Sequence, residues 1–284
     1  MAAQSDPRPA GWLRCFGVGE GWPSSDRRHS SYHYRLGSTR LLVDCGDGLS
    51  QGYQASGLGP EEVDHLWISH MHSDHVGGFS LFIQGLWLGR RRKPLHVHAP
   101  GGAIPALQAW LEATLLPAGL LGFPIEWHPI QPGVPVECRH ATVTAFPTTH
   151  LDGLRRRFSA AHPAICFEAY SFLIESRSLR IGHTADIGHV RDLEPLLEKP
   201  LDLLVSELSH VAPPELFERL KPCAIGQIVW VHLSSRWWND KAETRRSIQS
   251  ALGTRRSRIA NDGDLLPILV QREGKTRISR THTD

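Results

Sequence analysis

Short apolar runs bounded by polar, Gly- and Ser-rich turns recur along the whole chain. Runs of this length, alternating or continuous, are typical of strands buried on one or both faces. In the first half of the chain, the predicted strands cover residues 12–18, 32–36, 40–44, 64–69 and 95–99. In the second half, they cover residues 134–146 (a strand or a hairpin), 170–174, 179–182, 201–206, 228–232, 258–260 and 265–270.

Longer amphipathic or apolar segments predict helices between these strands. They cover residues 79–88, 103–116, 189–198, 213–220 and 240–252. In both halves, strands come first as adjacent pairs and then alternate with helices. This order favours an α/β fold with four layers, αββα, in which two sheets pack face to face with helices outside. We expect residues 1–284 to form one domain with a shared core, after a short polar lead-in over residues 1–11.

The composition adds limits to this interpretation. Hydrophobic residues make up 40% of 284 residues, which allows a sizeable core, and the net charge of +2 does not by itself indicate a nucleic-acid partner. The five cysteines form no CxxC pair, and no apolar leader or membrane-length segment is visible, so we expect a reducing cytoplasm. Arginines cluster locally at 90–92, 155–157, Arg245, Arg246, Arg255 and Arg256. These clusters are either solvated faces or contacts to a phosphate backbone.

Histidine is the unusual component, and one run concentrates it. His70-Met-His72-Ser-Asp74-His75 follows a predicted strand. His70 and His72 should point the same way, while Asp74 and His75 should begin the next helix. Zinc takes imidazole nitrogen and carboxylate oxygen ligands, but one short turn is too small to enclose a single ion with all four groups. Divided between two ions, with ligands from elsewhere, the groups suffice. A helix cap would explain Asp74 alone, not three clustered histidines.

The HxHxDH pattern of this run resembles the signature of the metallo-β-lactamase superfamily. Further segments resemble the other motifs of that family, in the same order along the chain. They are Leu42-Val-Asp44-Cys-Gly46-Asp-Gly48, Thr149-His150, Ile181-Gly-His-Thr-Ala-Asp186 and Val229-Trp-Val-His232-Leu-Ser-Ser-Arg236-Trp. The resemblance covers most of the chain and implies a hydrolase with two divalent cations, zinc in the first instance, with manganese or iron as alternatives.

The resemblance also implies a ligand set. The first cation would take His70, His72 and His150, the second would take Asp74, His75 and His232, and Asp186 would bridge both. Asp74 is in addition a candidate catalytic residue. Five neutral imidazoles and two carboxylates would leave two dications with a charge of +2, which suits an anionic substrate. Asp44 would support the histidine loop by hydrogen bonds, or else is only a turn former before Gly46.

Within the superfamily, the chain most resembles ribonuclease Z and related phosphodiesterases. The resemblance rests on the Gly-rich N-terminal segment 16–36, on His232-Leu-Ser-Ser-Arg236-Trp and on Ala260-Asn-Asp262-Gly263. Arg236, with Ser234 and Ser235, would bind the substrate, because a guanidinium binds phosphate oxygens in bidentate fashion. The alternative for Arg236 is a surface salt bridge.

Two departures from ribonuclease Z stand out. Only residues 151–169 separate the third histidine motif from the next strand, which leaves no room for the long arm that grips tRNA in that family. The His-Glu-Ala-Thr motif of the family is replaced by Ser206-Glu207-Leu-Ser-His210. Glu207 or His210 is therefore the candidate that delivers a proton to the leaving group, or either is a structural residue at a strand end.

The leading hypothesis is phosphodiester hydrolysis, on RNA 3′ ends or on smaller phosphodiesters, in which a hydroxide shared by the two cations attacks phosphorus. A second hypothesis keeps the same site but assigns it a lactone, a thioester or an aryl sulfate, since one fold hosts many reactions. A third is a non-catalytic metal-binding scaffold or carrier. Homodimer formation is implied by the resemblance alone.

Overall fold

The fold is built on two seven-stranded sheets. The computed structural model describes residues 9–253 and 256–271. The first sheet has the order β14-β1-β2-β3-β4-β5-β6. Its strands are β1 (Gly11–Gly17), β2 (Ser31–Leu36), β3 (Thr39–Val43), β4 (His65–Trp67), β5 (Leu95–Ala99), β6 (Ile125–Pro129) and β14 (Leu265–Ile268).

The second sheet has the order β13-β12-β11-β10-β9-β8-β7. Its strands are β7 (Val136–Cys138), β8 (Ala141–Pro147), β9 (Tyr170–Ser176), β10 (Arg180–His183), β11 (Leu201–Leu208), β12 (Ile225–Leu233) and β13 (Arg256–Ile259). Strands β3 to β6 run parallel in the first sheet, and β10 to β13 run parallel in the second. The loops after these parallel strands gather at common edges of the sheets.

Helices connect the strands. They are α1 (Leu49–Ala55), α2 (Ser73–Val76), α3 (Phe79–Leu88), α4 (Ile104–Ala113), α5 (Ala118–Leu121), α6 (Asp152–Phe158), α7 (Glu194–Leu197), α8 (Pro213–Leu220), α9 (Ser235–Asn239) and α10 (Lys241–Leu252), with 3-10 turns at Gly101–Ala103 and Val190–Leu193. In the part of the chain that the structure describes, no helix is both long and apolar enough to cross a bilayer.

Successive side chains of a strand point to opposite faces of the sheet, and the buried apolar side chains therefore form two separate cores. Leu41 and Val43 of β3 face the second sheet and pack in one cluster with Val143 and Phe172, whereas Leu42 between them packs in a second cluster under α3 and α4. On the far side, α8 and α10 join the inter-sheet cluster. The predicted αββα arrangement is therefore confirmed.

Most predicted elements are present. The predicted helices 79–88 and 213–220 match α3 and α8, and segment 134–146 is the hairpin β7–β8. β1 begins at Gly11, inside the predicted lead-in, because Gly11 pairs with Ile268 of the last strand. The predicted helix 189–198 is divided into a 3-10 turn and α7, which begins with Pro at its first turn. The one-domain expectation for residues 1–284 stays a prediction, since 1–8 and 272–284 lie outside the described residues.

Candidate metal centre

Seven imidazole and carboxylate groups meet where strands of both sheets end. His70 and His72 follow β4, Asp74 and His75 lie in α2, His150 follows β8, Asp186 follows β10 and His232 lies near the end of β12. The structure thus brings together all seven residues that the sequence predicted, although they are spread over more than half of the chain. Their donor atoms form two groups that share Asp186.

The first group is His70, His72, His150 and Asp186, whose donor atoms all lie within 4.8 Å of one another. His150 Nε2 is 3.1 Å from His72 Nδ1 and 3.5 Å from Asp186 Oδ2. His70 Nε2 lies 3.8 Å from the same carboxylate oxygen. The imidazole nitrogens of His70 and His150 therefore face the same oxygen of Asp186, with His72 beside His150.

The second group is Asp74, His75, Asp186 and His232. His232 Nε2 is 3.0 Å from Asp74 Oδ2, and His75 Nε2 is 3.4 Å from it. His75 Nε2 also lies 3.3 Å from Asp186 Oδ1, the oxygen that the first group does not use. The two oxygens of Asp186 thus point into different groups.

The chemistry of these donors fits divalent cations. The buried atoms His70 Nε2, His75 Nε2 and Asp186 Oδ1 have no hydrogen-bond partner among the described residues, which is costly unless another ligand meets them. Burial lowers the pKa of His150 to about 4 and that of His70 well below its usual value. Burial opposes the ionisation of Asp186, but the surrounding imidazoles hold its pKa low. Neutral imidazoles and ionised carboxylates are the forms that bind metal, and His75, whose pKa the Asp186 and Asp44 carboxylates raise despite its burial, would lose its proton to the cation.

Asp44 and Ser69 contact two of the histidines at Nδ1, the ring nitrogen that faces away from the cluster, and so orient their rings. Asp44 Oδ2 is 2.7 Å from His75 Nδ1, and Asp44 also accepts hydrogen bonds from the Ser69 amide at 2.7 Å and the Ser69 hydroxyl at 2.9 Å. The same hydroxyl lies 3.0 Å from His70 Nδ1. Asp44 is fully buried and has a positive φ of 59°, a strained conformation that the surrounding contacts maintain. This arrangement fits the supporting role that the sequence suggested for Asp44.

The buried Glu207 lies beside the cluster. It accepts the Ile187 amide at 2.7 Å, which fixes the turn after Asp186, and its Oε2 is 2.9 Å from His210 Nδ1. The Ser209 hydroxyl donates to Glu207 at 2.9 Å and lies 3.0 Å from His232 Nδ1. The sequence analysis missed Ser209, although its place between two candidate residues was a usable signal.

Asp192 is a second residue that the sequence analysis missed. One of its carboxylate oxygens accepts the Thr149 amide and hydroxyl and the Gly188 amide, each at 2.9 Å, and so joins the turns that carry His150 and Asp186. Gly188 permits the contact, since a Cβ there would lie 2.6 Å from the Thr149 backbone. Asp192 gave no sequence signal beyond lying in a predicted helix.

The N-terminal loop, residues 18–30, packs against the last histidine motif. The His232 amide donates to the Val18 carbonyl at 2.9 Å, and Arg27 Nη1 donates to the Leu233 carbonyl at 2.7 Å. Asp262 accepts the amides of Val18 at 3.0 Å and Arg28 at 2.6 Å. The Gly-rich first turn and the final Asp-Gly motif are therefore parts of one assembly around His232.

The three predicted substrate-binding residues lie at the start of α9. The Ser235 amide and hydroxyl both donate to Glu20 Oε1, at 3.1 and 2.9 Å, so this hydroxyl is already engaged. Ser234 is half-buried and its amide donates to the Leu208 carbonyl at 3.3 Å. Arg236 is exposed, and its guanidinium carbon lies 5.4 Å from the ring centroid of Trp237. Among the described residues it forms no ion pair with the seven-residue cluster, and its role stays a prediction.

The arginine clusters differ in their surroundings. Arg91 is buried and donates to the carbonyls of Pro60, Lys93 and Pro94, so it serves the fold. The arginines 155–157 are exposed on α6, directly after His150, and Arg245 and Arg246 are exposed on α10. Arg255 lies outside the described residues, as does the side chain of Arg256.

Two face-to-face sheets between helical layers, with seven imidazole and carboxylate groups at one edge, define an αββα domain built around a metal centre. The chain belongs to the beta-lactamase superfamily, because the family model described as "Beta-lactamase superfamily domain" matches residues 39–236.

Curated and solved relatives agree with this membership. A protein named ribonuclease Z from Bradyrhizobium sp. (strain ORS 278) is 33% identical over 142 residues, which are 50% of this chain and 47% of that protein. The chain spans about half the length of the curated relatives it matches.

Two solved structures share the fold. A metallo-beta-lactamase fold protein from Bacillus subtilis has a TM-score of 0.70 at 19% identity, covering 91% of this chain and 99% of its own. The human tRNase Z, short form, has a TM-score of 0.70 at 18% identity, covering 91% and 100%.

Proposed function

We propose that this chain is a phosphodiesterase that uses two divalent cations and acts on RNA 3′ ends or on smaller phosphodiesters. The observation that carries the proposal is the Asp186 carboxylate, which directs one oxygen into each of two groups of histidine nitrogens. The name ribonuclease Z, borne by the relative that matches half of the chain, supports the phosphodiester as substrate.

The seven residues would hold the cations as follows. His70, His72 and His150 would hold one, Asp74, His75 and His232 would hold the other, and Asp186 would contact both. Bound in this way, a pair of divalent cations lowers the pKa of water and stabilises the charge of the attacking and leaving oxygens. Zinc is the proposed metal because it favours imidazole and carboxylate donors.

The remaining candidates act on the substrate. His210 holds its Nδ1 against Glu207 and leaves Nε2 to give a proton to the leaving oxygen, while Glu207 orients the ring. Arg236 and Ser234 lie on the loop after His232, where they would meet the phosphate. The exposed arginines of α6 would follow an RNA backbone beside His150. We also propose that the protein forms a homodimer. We propose a cytoplasmic location as well, with which five unpaired cysteines are consistent.

The test is turnover by zinc-loaded protein of bis-p-nitrophenyl phosphate and of a precursor tRNA with a 3′ trailer. We expect hydrolysis of the small diester that is lost in Asp186→Ala. Cleavage of the precursor at its 3′ side would extend the activity to RNA. If neither substrate turns over, the phosphodiesterase proposal is wrong.

A second candidate function is hydrolysis of a lactone, a thioester or an aryl sulfate at the same centre. It is favoured by one observation, that Arg236 is exposed and holds its guanidinium over the Trp237 ring. A panel of these three substrates, run beside the phosphodiesters, decides between the two. Full metal loading without turnover of any of them would indicate a scaffold or carrier.

A further inference from the structure

A second concentration of histidines lies on the inner face of the first sheet, away from the seven-residue centre. Parallel pairing places His65 beside His96 and His98 beside His128, while Glu126 lies beside His96. Because side chains alternate along a strand, these five residues share one face of β4, β5 and β6. We call His96, Glu126 and His128 the edge cluster, since β6 is the last strand of its sheet.

The three donor atoms of the edge cluster lie within 4.8 Å of one another. His96 Nδ1 is 3.2 Å from His128 Nε2 and 3.2 Å from Glu126 Oε2. Around a tetrahedral cation with ligands at about 2.0–2.2 Å, neighbouring ligand atoms lie roughly 3.3–3.6 Å apart. The spacing in the edge cluster is close to that of donors that share one ion.

Hydrogen bonds within the edge cluster satisfy this arrangement only in part. If His96 Nδ1 carries a proton, it can direct that proton to Glu126 or to His128, not well to both. If it carries none, it can accept from His128, but its lone pair then faces the Glu126 carboxylate at 3.2 Å. A cation would accept a lone pair from each of the three donors at once, whereas without it solvent must satisfy the remaining one.

A buried layer holds the edge cluster in place. The His65 ring stacks on His96 at 4.6 Å, and the His98 ring stacks on His128 at 4.7 Å. Both backing rings are buried, and His65 Nδ1 lies 3.1 Å from His98 Nε2. Burial raises the pKa of the adjacent Cys138 to about 12. His65, His98 and Cys138 form a buried layer behind the edge cluster.

The edge cluster is open to solvent, unlike its backing. The His96 side chain is 32% exposed and that of Glu126 is 46% exposed. A cation can therefore enter without unfolding, and water can fill its remaining coordination positions. One carboxylate and two neutral imidazoles suit a borderline metal such as zinc, cobalt or nickel rather than magnesium or calcium, which favour oxygen donors.

We propose that His96, Glu126 and His128 bind one divalent cation of the zinc type, in addition to those of the seven-residue centre. The cation would link β5 to the edge strand β6. The site stands independently of the proposed function, because none of its residues belongs to the candidate metal centre.

The test counts zinc in the full-length protein. Wild type and the double variant His96→Gln, His128→Gln are loaded with ZnCl2, passed through a desalting column and analysed by inductively coupled plasma mass spectrometry. The double variant should hold one equivalent less than wild type. His162→Gln, which changes an exposed histidine elsewhere, should lose none. Equal counts in wild type and the double variant would overturn the proposal.

Two further variants keep the result decisive. Glu126→Gln changes an exposed side chain, so it should fold even if the double variant does not, and zinc affinity at the edge cluster should fall at least tenfold in a competition with a fluorescent chelator. An unchanged affinity would contradict the proposal. Asp186→Ala should lose the zinc of the seven-residue centre and keep the one equivalent at the edge cluster. Loss of zinc from the centre and loss of zinc from the edge cluster therefore give different numbers of equivalents per protein.

Discussion

Asp44 Oδ2 lies 2.7 Å from His75 Nδ1, on the side of the ring opposite to the metal-facing Nε2. A carboxylate in this position fixes the proton on Nδ1, directs Nε2 into the centre and strengthens it as a donor. The sequence placed these two residues 31 positions apart, in different motifs.

Replacement of Asp44 by Asn should therefore weaken binding at the second group without changing its donors. We expect a roughly 10- to 100-fold loss of zinc affinity for one of the two cations. Chelator competition measures it. Asp47→Asn is the matched control, because Asp47 is an exposed carboxylate in the same loop. Equal affinities in wild type and Asp44→Asn would contradict the supporting role.

Asp186 should differ from every other donor in its effect on metal content. Asp186→Ala removes the residue that both groups share, so both cations of the centre should be lost. His150→Ala removes a donor from the first group only, and one cation should remain. Metal analysis of the two variants side by side checks this, and retention of one cation at the centre in Asp186→Ala would contradict it.

Removal of the proposed proton donor should slow hydrolysis by an amount that depends on the leaving group of the substrate. In His210→Ala, a phosphodiester with a poorly stabilised alkoxide leaving group should be hydrolysed about 10² to 10⁴ times more slowly. A p-nitrophenolate leaving group needs no proton, so its rate should change little. His162→Ala is the control. An equal loss on both substrates would point to a structural role for His210.

Arg236 should affect phosphodiesters through substrate binding. Loss of a charge-assisted hydrogen bond to phosphate lowers kcat/KM roughly 10- to 100-fold, so Arg236→Ala should show a decrease of this size and Arg236→Lys a smaller one. Arg177→Ala, which removes an exposed arginine at the β9–β10 turn, should have no effect. An unaltered kcat/KM in Arg236→Ala would favour the second candidate function.

The buried His33 should make the fold sensitive to acid. Burial lowers its pKa to about 4, only partly offset by the hydrogen bond between Nε2 and the Glu62 carbonyl. Unfolded histidine titrates near 6.5, so between these values the unfolded chain binds the extra proton and stability falls as pH falls. Between pH 7.5 and pH 5, His33 should lower the free energy of unfolding by about 2 kcal/mol. Urea unfolding at the two pH values measures this. The free energy of unfolding of His33→Gln should fall less than that of wild type, by that amount, and an equal fall in both proteins would contradict the prediction.

Much of the fold could be predicted because its strands are short apolar runs with clear ends. The helix α3 lies where the sequence placed it, since Phe79–Leu88 is mostly apolar and is bounded by Gly78 and Gly89. The strand β6 was missed because Ile125–Pro129 contains Glu, Trp, His and Pro and is only partly buried. Its identity as a strand depends on pairing with β5, which no local pattern reveals.

The candidate centre could be predicted because its motifs each keep their donors within a few residues. The contacts that hold these donors could not. Asp192 acts on the Thr149–His150 turn across 43 positions, and Ser209 reaches His232 across 23. The edge cluster was invisible for a similar reason, since His96 and His128 meet only through the register of two parallel strands.

Asp262 has a consequence for biosynthesis. Its carboxylate anchors the amides of Val18 and Arg28, which precede it by 244 and 234 positions. A ribosome makes Val18 and Arg28 long before Asp262, so their amides lack this acceptor while the intervening residues are translated. The surroundings of His232 are therefore completed only after Asp262 has been made, and a nascent chain that is released before Asp262 lacks this anchor.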